Sequence, residues 1–316
     1  STLSSSSAAS DVYKRQPYGH WPATNDGKRN RHAKLYDDCP MNSVPRAGIS
    51  AEAVKGYEMV KSGSSHGLDF SMLMRAPNNL PSLQNYYSQI TMIDEAVGRI
   101  SKAAPDALII FTTDHGLSLG HHGFWGHGGS TYPSNLHLAA HSIPMILSHR
   151  DKIYPDKTSP ILVSNIDIYA TILDYVGGSA DPTLPSRSFA GLLKGQEVAD
   201  WGDDEVFSEQ EETRVIRTPQ WAYFKRYNSD NAPDLPDELF NVVVDPGETN
   251  NLVNNPDHAH IIADLSARIE TFFAQHSNKN ADLWKGGKPI QNSMMQKYWS
   301  DIWGDDWEPV YTYDSE

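Results

Sequence analysis

Cysteine is almost missing from this sequence. Cys39 is the only one in 316 residues, which excludes an intrachain disulfide and any zinc site built from a cysteine cluster. An excess of positive charge is missing too, since 26 Lys and Arg stand against 40 Asp and Glu for a formal charge of -14. Nucleic-acid binding relies on Lys and Arg neutralising phosphates, so the balance works against that class. No apolar run approaches the roughly 18 residues that span a bilayer, and no membrane span is expected. Residues 1–16, rich in Ser and Ala, have neither the apolar core of a signal peptide nor any periodicity; they read as a non-native or disordered leader.

What is present describes a globular enzyme-sized chain, with 39% apolar and 21% charged residues. Its acidic field would repel an anionic substrate, so any sulfate or phosphate site must be a local island of metal, His, Lys or Arg. Residues 17–80 are rich in Pro, Gly, Asn and Ser and read as a long surface excursion. Helical periodicity begins with Tyr86, Ile90, Ile93, Val97 and Ile100, one apolar stripe closed by Pro105. Ala107 to Phe111 then reads as a short buried strand of the kind found in parallel sheets. Ile143 to Leu147 is a second strand, and 165–175 a helix stopped by Gly177-Gly178.

This alternation predicts an α/β fold with a mostly parallel sheet, occupying 17–200. Composition changes near Trp201. Strands are expected around Val206-Phe207, Arg214–Arg217, Trp221–Phe224 and Leu239–Asn241. A helix follows, capped by Asn255 with Pro256 in its first turn and a buried stripe of Ile262, Leu265, Ile269 and Phe272. Residues 201–277 therefore read as a small α+β subdomain, and 278–316 as an aromatic, acidic tail.

The densest chemistry follows the first strand. Asp114-His115-Gly116 stands at its carboxyl end, where parallel α/β sheets place ligands. A carboxylate and an imidazole there can hold a metal, and the glycine lets backbone approach closely. His115, His121, His122 and His127 fall within thirteen residues, although a polar exposed loop with incidental histidines would look the same. Neither an HExxH motif nor a Cys/His spacing supports zinc.

In order along the chain, the helix with Ile93-Asp94-Glu95-Ala96-Val97-Gly98-Arg99-Ile100, the run Ile109 to Gly116 and the loop to Trp125-Gly126-His127-Gly128 resemble the sulfatase family of the alkaline phosphatase superfamily. So do Pro144-Met145-Ile146, Asp167 to Gly177, Ser186-Arg187-Ser188-Phe189, Glu238-Leu239-Phe240-Asn241, and Asp245 to Leu252. The resemblance spans about residues 17–275. It implies an alkaline-phosphatase-like sheet, metal-assisted hydrolysis of a sulfate ester, and a sulfated small molecule or glycan as substrate. It implies Asp114 and His115 as the second metal-ligand pair, around a divalent metal that family precedent makes Ca2+. It also implies that His127 and His20, in Gly19-His20-Trp21-Pro22, contact the substrate, and a periplasmic or secreted location.

The ion stays open on chemical grounds, and one segment of the family pattern is missing. Calcium prefers oxygen ligands, whereas imidazole nitrogen suits softer ions. The family's nucleophile is a formylglycine made within a Cys/Ser-x-Pro/Ala-x-Arg signature, which is not found. Cys39-Pro40-Met41 has the wrong order, Ser43-Val44-Pro45-Arg46 brings its Arg one residue early, and Asp37-Asp38 has no buried strand before it. The expectation is an incomplete sulfatase, inactive alone. Phosphodiester or phosphonate-ester hydrolysis on the same scaffold, or a non-catalytic remnant that binds anions or glycans, are the alternatives.

Overall fold

The structure is a computed structural model describing residues 31–45, 80–126, 134–196, 198, 201, 204–210, 213–227 and 236–277. Its helices are α1 (Leu80–Ala103), α2 (Leu138–His141), α3 (Asp167–Tyr175), α4 (Ala190–Leu193) and α5 (Ala259–His276). Its strands are β1 (Ile109–Thr112), β2 (Ser118–Leu119), β3 (Trp125–Gly126), β4 (Met145–Ser148), β5 (Val206–Gln210), β6 (Thr213–Arg217), β7 (Trp221–Arg226) and β8 (Glu238–Asn241). Two compact units contain them. One lies within 1–49, 69–105 and 117–126, the other within 50–68, 106–116 and 127–316.

In the first unit α1 packs on the segment around the tight turn Ala33–Tyr36. Met41, Val44, Leu83 and Leu119 form the core, with Tyr36, Cys39, Tyr86 and Tyr87 against it. Gln84, also buried, donates its side-chain amide to the carbonyls of Asp37 (3.1 Å) and Cys39 (3.0 Å). The predicted helix is present, but its facing is not as expected. Ile90, Ile93 and Ile100 are exposed, while Gln84, Asn85, Ser88 and Gln89 are buried. Periodicity finds a face that requires cover; which face a neighbour covers is a tertiary matter. Met41 of Cys39-Pro40-Met41 and Val44 of Ser43-Val44-Pro45-Arg46 serve as core.

In the second unit β1 pairs antiparallel with β4, Ile110 opposite Leu147 and Phe111 opposite Ile146. This corrects the parallel pairing expected of the 107–111 run, and every strand pair among the described residues is antiparallel. An apolar run reports that a strand is partly covered, not the direction of its neighbour. Helix α3 ends as its glycines require: Gly177 takes φ +85°, and the N–H of Gly178 reaches the Leu173 carbonyl at 2.8 Å.

Strands β5 to β8 form one antiparallel sheet in sequence order, at the four positions where strands are expected. Ile216, Tyr223 and Leu239 face α5 and meet Leu265, Ile269 and Phe273. Asn255 accepts the N–H of Asp257 at 3.0 Å at the start of the short turn Pro256–His258 that leads into α5. The opposite face carries Val215, Ala222, Phe224 and Phe240, and Leu136 packs on it. Side chains alternate across the pleat, so Arg217, Arg226 and Glu238 project from this second face as well. Among the described residues no helix is long and apolar enough to cross a membrane.

Candidate metal centre

Asp114 and His115 follow β1 directly, in an irregular segment that frees their side chains from the sheet. The Asp114 carboxylate is 87% exposed and its Oδ1 accepts the His115 N–H at 3.1 Å. His115 Nδ1 lies 2.7 Å from the Gly116 carbonyl, which can only accept, so Nδ1 carries the ring proton. In the neutral ring Nε2 is then the lone-pair nitrogen, and it sits 3.7 Å from Asp114 Oδ1. One carboxylate oxygen and one imidazole nitrogen at that separation can share a single cation. The backbone carbonyl on the far ring nitrogen is the usual device for orienting a ligating histidine.

Gly116 is tightly held. Its N–H donates to the Ala140 carbonyl at 2.7 Å, and a Cβ there would lie 2.4 Å from the Ala139 carbonyl oxygen. The sequence-level reason for a glycine, close backbone approach, is thus met by α2. Behind the pair, Asn165 ties α3 to the end of β1. Its Nδ2 donates to the Thr113 carbonyl (2.9 Å), and its Oδ1 accepts from the Thr112 hydroxyl (3.1 Å).

The sulfatase family model matches residues 17–178, just over half of the chain, and a second, described as the C-terminal region of N-sulphoglucosamine sulphohydrolase, matches 135–275. The chain belongs to the sulfatase family. It is 26% identical over 287 residues to the choline-sulfatase of Rhizobium meliloti, covering 84% of this chain and 52% of that protein. It is 23% identical over 233 residues to an N-acetylglucosamine-6-O-sulfatase of Bacteroides thetaiotaomicron, covering 67% and 40%. Among solved structures, a phosphonate monoester hydrolase from Silicibacter pomeroyi superposes with a TM-score of 0.57 at 22% identity, over 75% of this chain and 51% of that one. This likeness shows the fold, an alkaline-phosphatase-like α/β architecture. The chain spans about half the length of the relatives it matches.

In this sulfatase-family chain, the residues expected to contact substrate, His20 and His127, lie outside the described residues. His121, one of the clustered histidines, belongs to the turn between β2 and β3: its Nδ1 accepts the Leu119 N–H at 3.1 Å, and partial burial pushes its pKa down. His141, at the end of α2, escaped notice in the sequence. Burial, then the charge of Arg217, push its pKa down to about 4, so it is neutral at pH 7, and its Nε2 has no hydrogen-bond partner among the described residues.

Also unforeseen was an ion-pair layer on the second face of the β5–β8 sheet. Glu238 joins Arg226 and receives a hydrogen bond from His137 Nε2 at 3.2 Å. Burial alone would raise the Glu238 pKa, but His137 and Arg226 outweigh it and hold the carboxyl at about 2. Arg226 also donates to the Ser134 carbonyl (2.9 Å), Arg217 to that of Leu136 (2.9 Å), and Arg217 pairs with the buried Glu248. Of these, Glu238 and Glu248 stand in segments that carry the family likeness, Glu238-Leu239-Phe240-Asn241 and Asp245 to Leu252; no local pattern marks His137, Arg217 or Arg226.

Proposed function

We propose that this chain contributes the second metal-ligand pair of a sulfate-ester hydrolase. Asp114 and His115 hold a divalent cation, calcium by family precedent, while His127 and His20 contact the sulfate group and the departing oxygen. A bound cation would supply Lewis acidity toward the sulfonyl oxygens. The reading is carried by one observation: Asp114 Oδ1 and His115 Nε2 share one side of the loop after β1, with the imidazole tautomer fixed by the Gly116 carbonyl. Calcium takes about six to eight oxygen ligands. Two donors are a partial shell, and weak binding is expected of these residues alone.

The choline-sulfatase and N-acetylglucosamine-6-O-sulfatase relatives support a sulfated small molecule or glycan as substrate. Phosphonate-ester hydrolysis is the second reading, favoured by the fold shared with the phosphonate monoester hydrolase. These 316 residues contain no formylglycine signature, so the chain alone should not release sulfate from an aryl sulfate. The test is a calorimetric titration with Ca2+, in which Asp114→Asn should weaken binding by about tenfold or more. Equal affinity for the variant and the parent would remove the basis of the reading, and sulfate release by the parent chain would refute its inactivity.

A further inference from the structure

The residue with the clearest unassigned task is Glu248. It is 1% exposed, takes φ +55°, a left-handed conformation uncommon for a side chain of this size, and lies in the turn after β8. Turn geometry alone does not require a buried carboxylate there. Both oxygens are engaged: Oε2 accepts the Leu138 N–H at 2.8 Å, and Oε1 pairs with Arg217. Leu138 is the first residue of α2, where backbone N–H groups lack intrahelical acceptors and a carboxylate is favoured. Arg217 completes the clamp by donating to the Leu136 carbonyl at 2.9 Å.

From that clamp a continuous path leads to the candidate metal ligands. α2 is a single turn, closed by the Ala140 N–H to His137 carbonyl bond (2.9 Å) and the Ser142 N–H to Leu138 carbonyl bond (2.6 Å). Its Ala140 carbonyl accepts the Gly116 N–H, and the Gly116 carbonyl in turn accepts His115 Nδ1. The peptide groups of Gly116 are therefore held from α2 on one side and hold the imidazole on the other. With a Cβ excluded by Ala139, α2 has little room to shift without moving Gly116. A helix of one turn cannot define its own position; here the β5–β8 sheet does so.

We propose that Glu248 is a positioning residue for the Asp114–His115 pair, acting through Leu138, Ala140 and Gly116. The carboxy-terminal sheet thereby sets the orientation of the His115 imidazole. The consequence for metal rests on the reading of Asp114 and His115 as ligands; the mechanical link does not.

The test uses the full chain, with Ca2+ as probe and amide hydrogen exchange as a readout independent of metal. Glu248→Ala should speed exchange at Gly116 and weaken Ca2+ binding about tenfold, the size of effect seen when the partners of a ligating histidine are lost. Glu248→Gln keeps an acceptor for Leu138 and should restore most of both. Gly116→Ala disturbs the path from its other end and leaves the Glu248–Arg217 pair in place. It should speed exchange at Leu138, because coupling between two sites is reciprocal. This variant decides the matter even if Glu248→Ala does not fold. Unchanged exchange at Leu138 in Gly116→Ala would overturn the proposal, as would unchanged Gly116 exchange in a folded Glu248→Ala protein. A parent chain that binds no Ca2+ would instead sink the metal reading, and the exchange experiment would still judge the link.

Discussion

At the scale of single residues, the chemistry of this chain depends on which atom of a side chain faces which partner. His115 illustrates it: a carbonyl on Nδ1 fixes a ring proton there and leaves the Nε2 side of the imidazole toward Asp114. Glu238 illustrates the energetic counterpart, since its folded pKa of about 2 lies below the ordinary value of 4.5. A carboxyl whose pKa is depressed on folding contributes stability above its unfolded pKa and loses it as pH falls through the folded one. Glu238→Gln should therefore cost about 3 kcal/mol at pH 7, where it strands the buried Arg226. The gap to the parent should close between pH 4.5 and about 2. Denaturant unfolding at several pH values checks this, and a gap independent of pH would contradict it. From the sequence, Asp114 and His115 stand out as candidate ligands because they come just after a strand. The ion-pair layer was not legible, because it brings His137 to Glu238 from 101 residues away.

At the scale of elements, what the sequence reveals is existence more than environment. The stop at Gly177-Gly178, the cap at Asn255 and the four short strands β5 to β8 are local, and the structure has each where it is expected. Helix α5 also buries the stripe it advertises, except that Phe273 goes deeper than Phe272, which stacks on Phe207 with ring centroids 4.0 Å apart. In α1 the stripe is split: Tyr86 packs against the core, whereas Ile90, Ile93 and Ile100 are exposed. The two helices should answer mutation differently. Ile269→Ala, at a fully buried site, should cost about 2–5 kcal/mol. Ile100→Ser, at a site 60% exposed, should cost within about 0.5 kcal/mol. Chemical denaturation of the two variants provides the comparison; a large loss for Ile100→Ser would mean that this face is covered after all.

At the scale of the whole molecule, exposed apolar side chains occur among the described residues of both units. Ile90, Ile93 and Ile100 lie along α1 in the first, and Tyr169, Ile172 and Val176 along α3 in the second, where Ile146 of β4 is also 58% exposed. Exposed apolar side chains that line one helix favour association and dye binding. The chain should bind an apolar dye such as anilinonaphthalene sulfonate in its native state, and Ile93→Ser with Ile100→Ser should lower the signal without moving the melting temperature. Dye binding unaltered by the pair would place the apolar surface elsewhere. The excess of acid, -14 overall, leaves recognition of an anionic ester to the local site.

The most direct measurement of the central claim replaces calcium with Mn2+ and follows paramagnetic relaxation in the full chain. Enhanced relaxation centred on the Asp114, His115 and Gly116 signals, abolished by Asp114→Asn, is the expected result. Relaxation centred on other acidic surface residues, with that loop undisturbed, would contradict a cation held by the carboxylate and imidazole after β1.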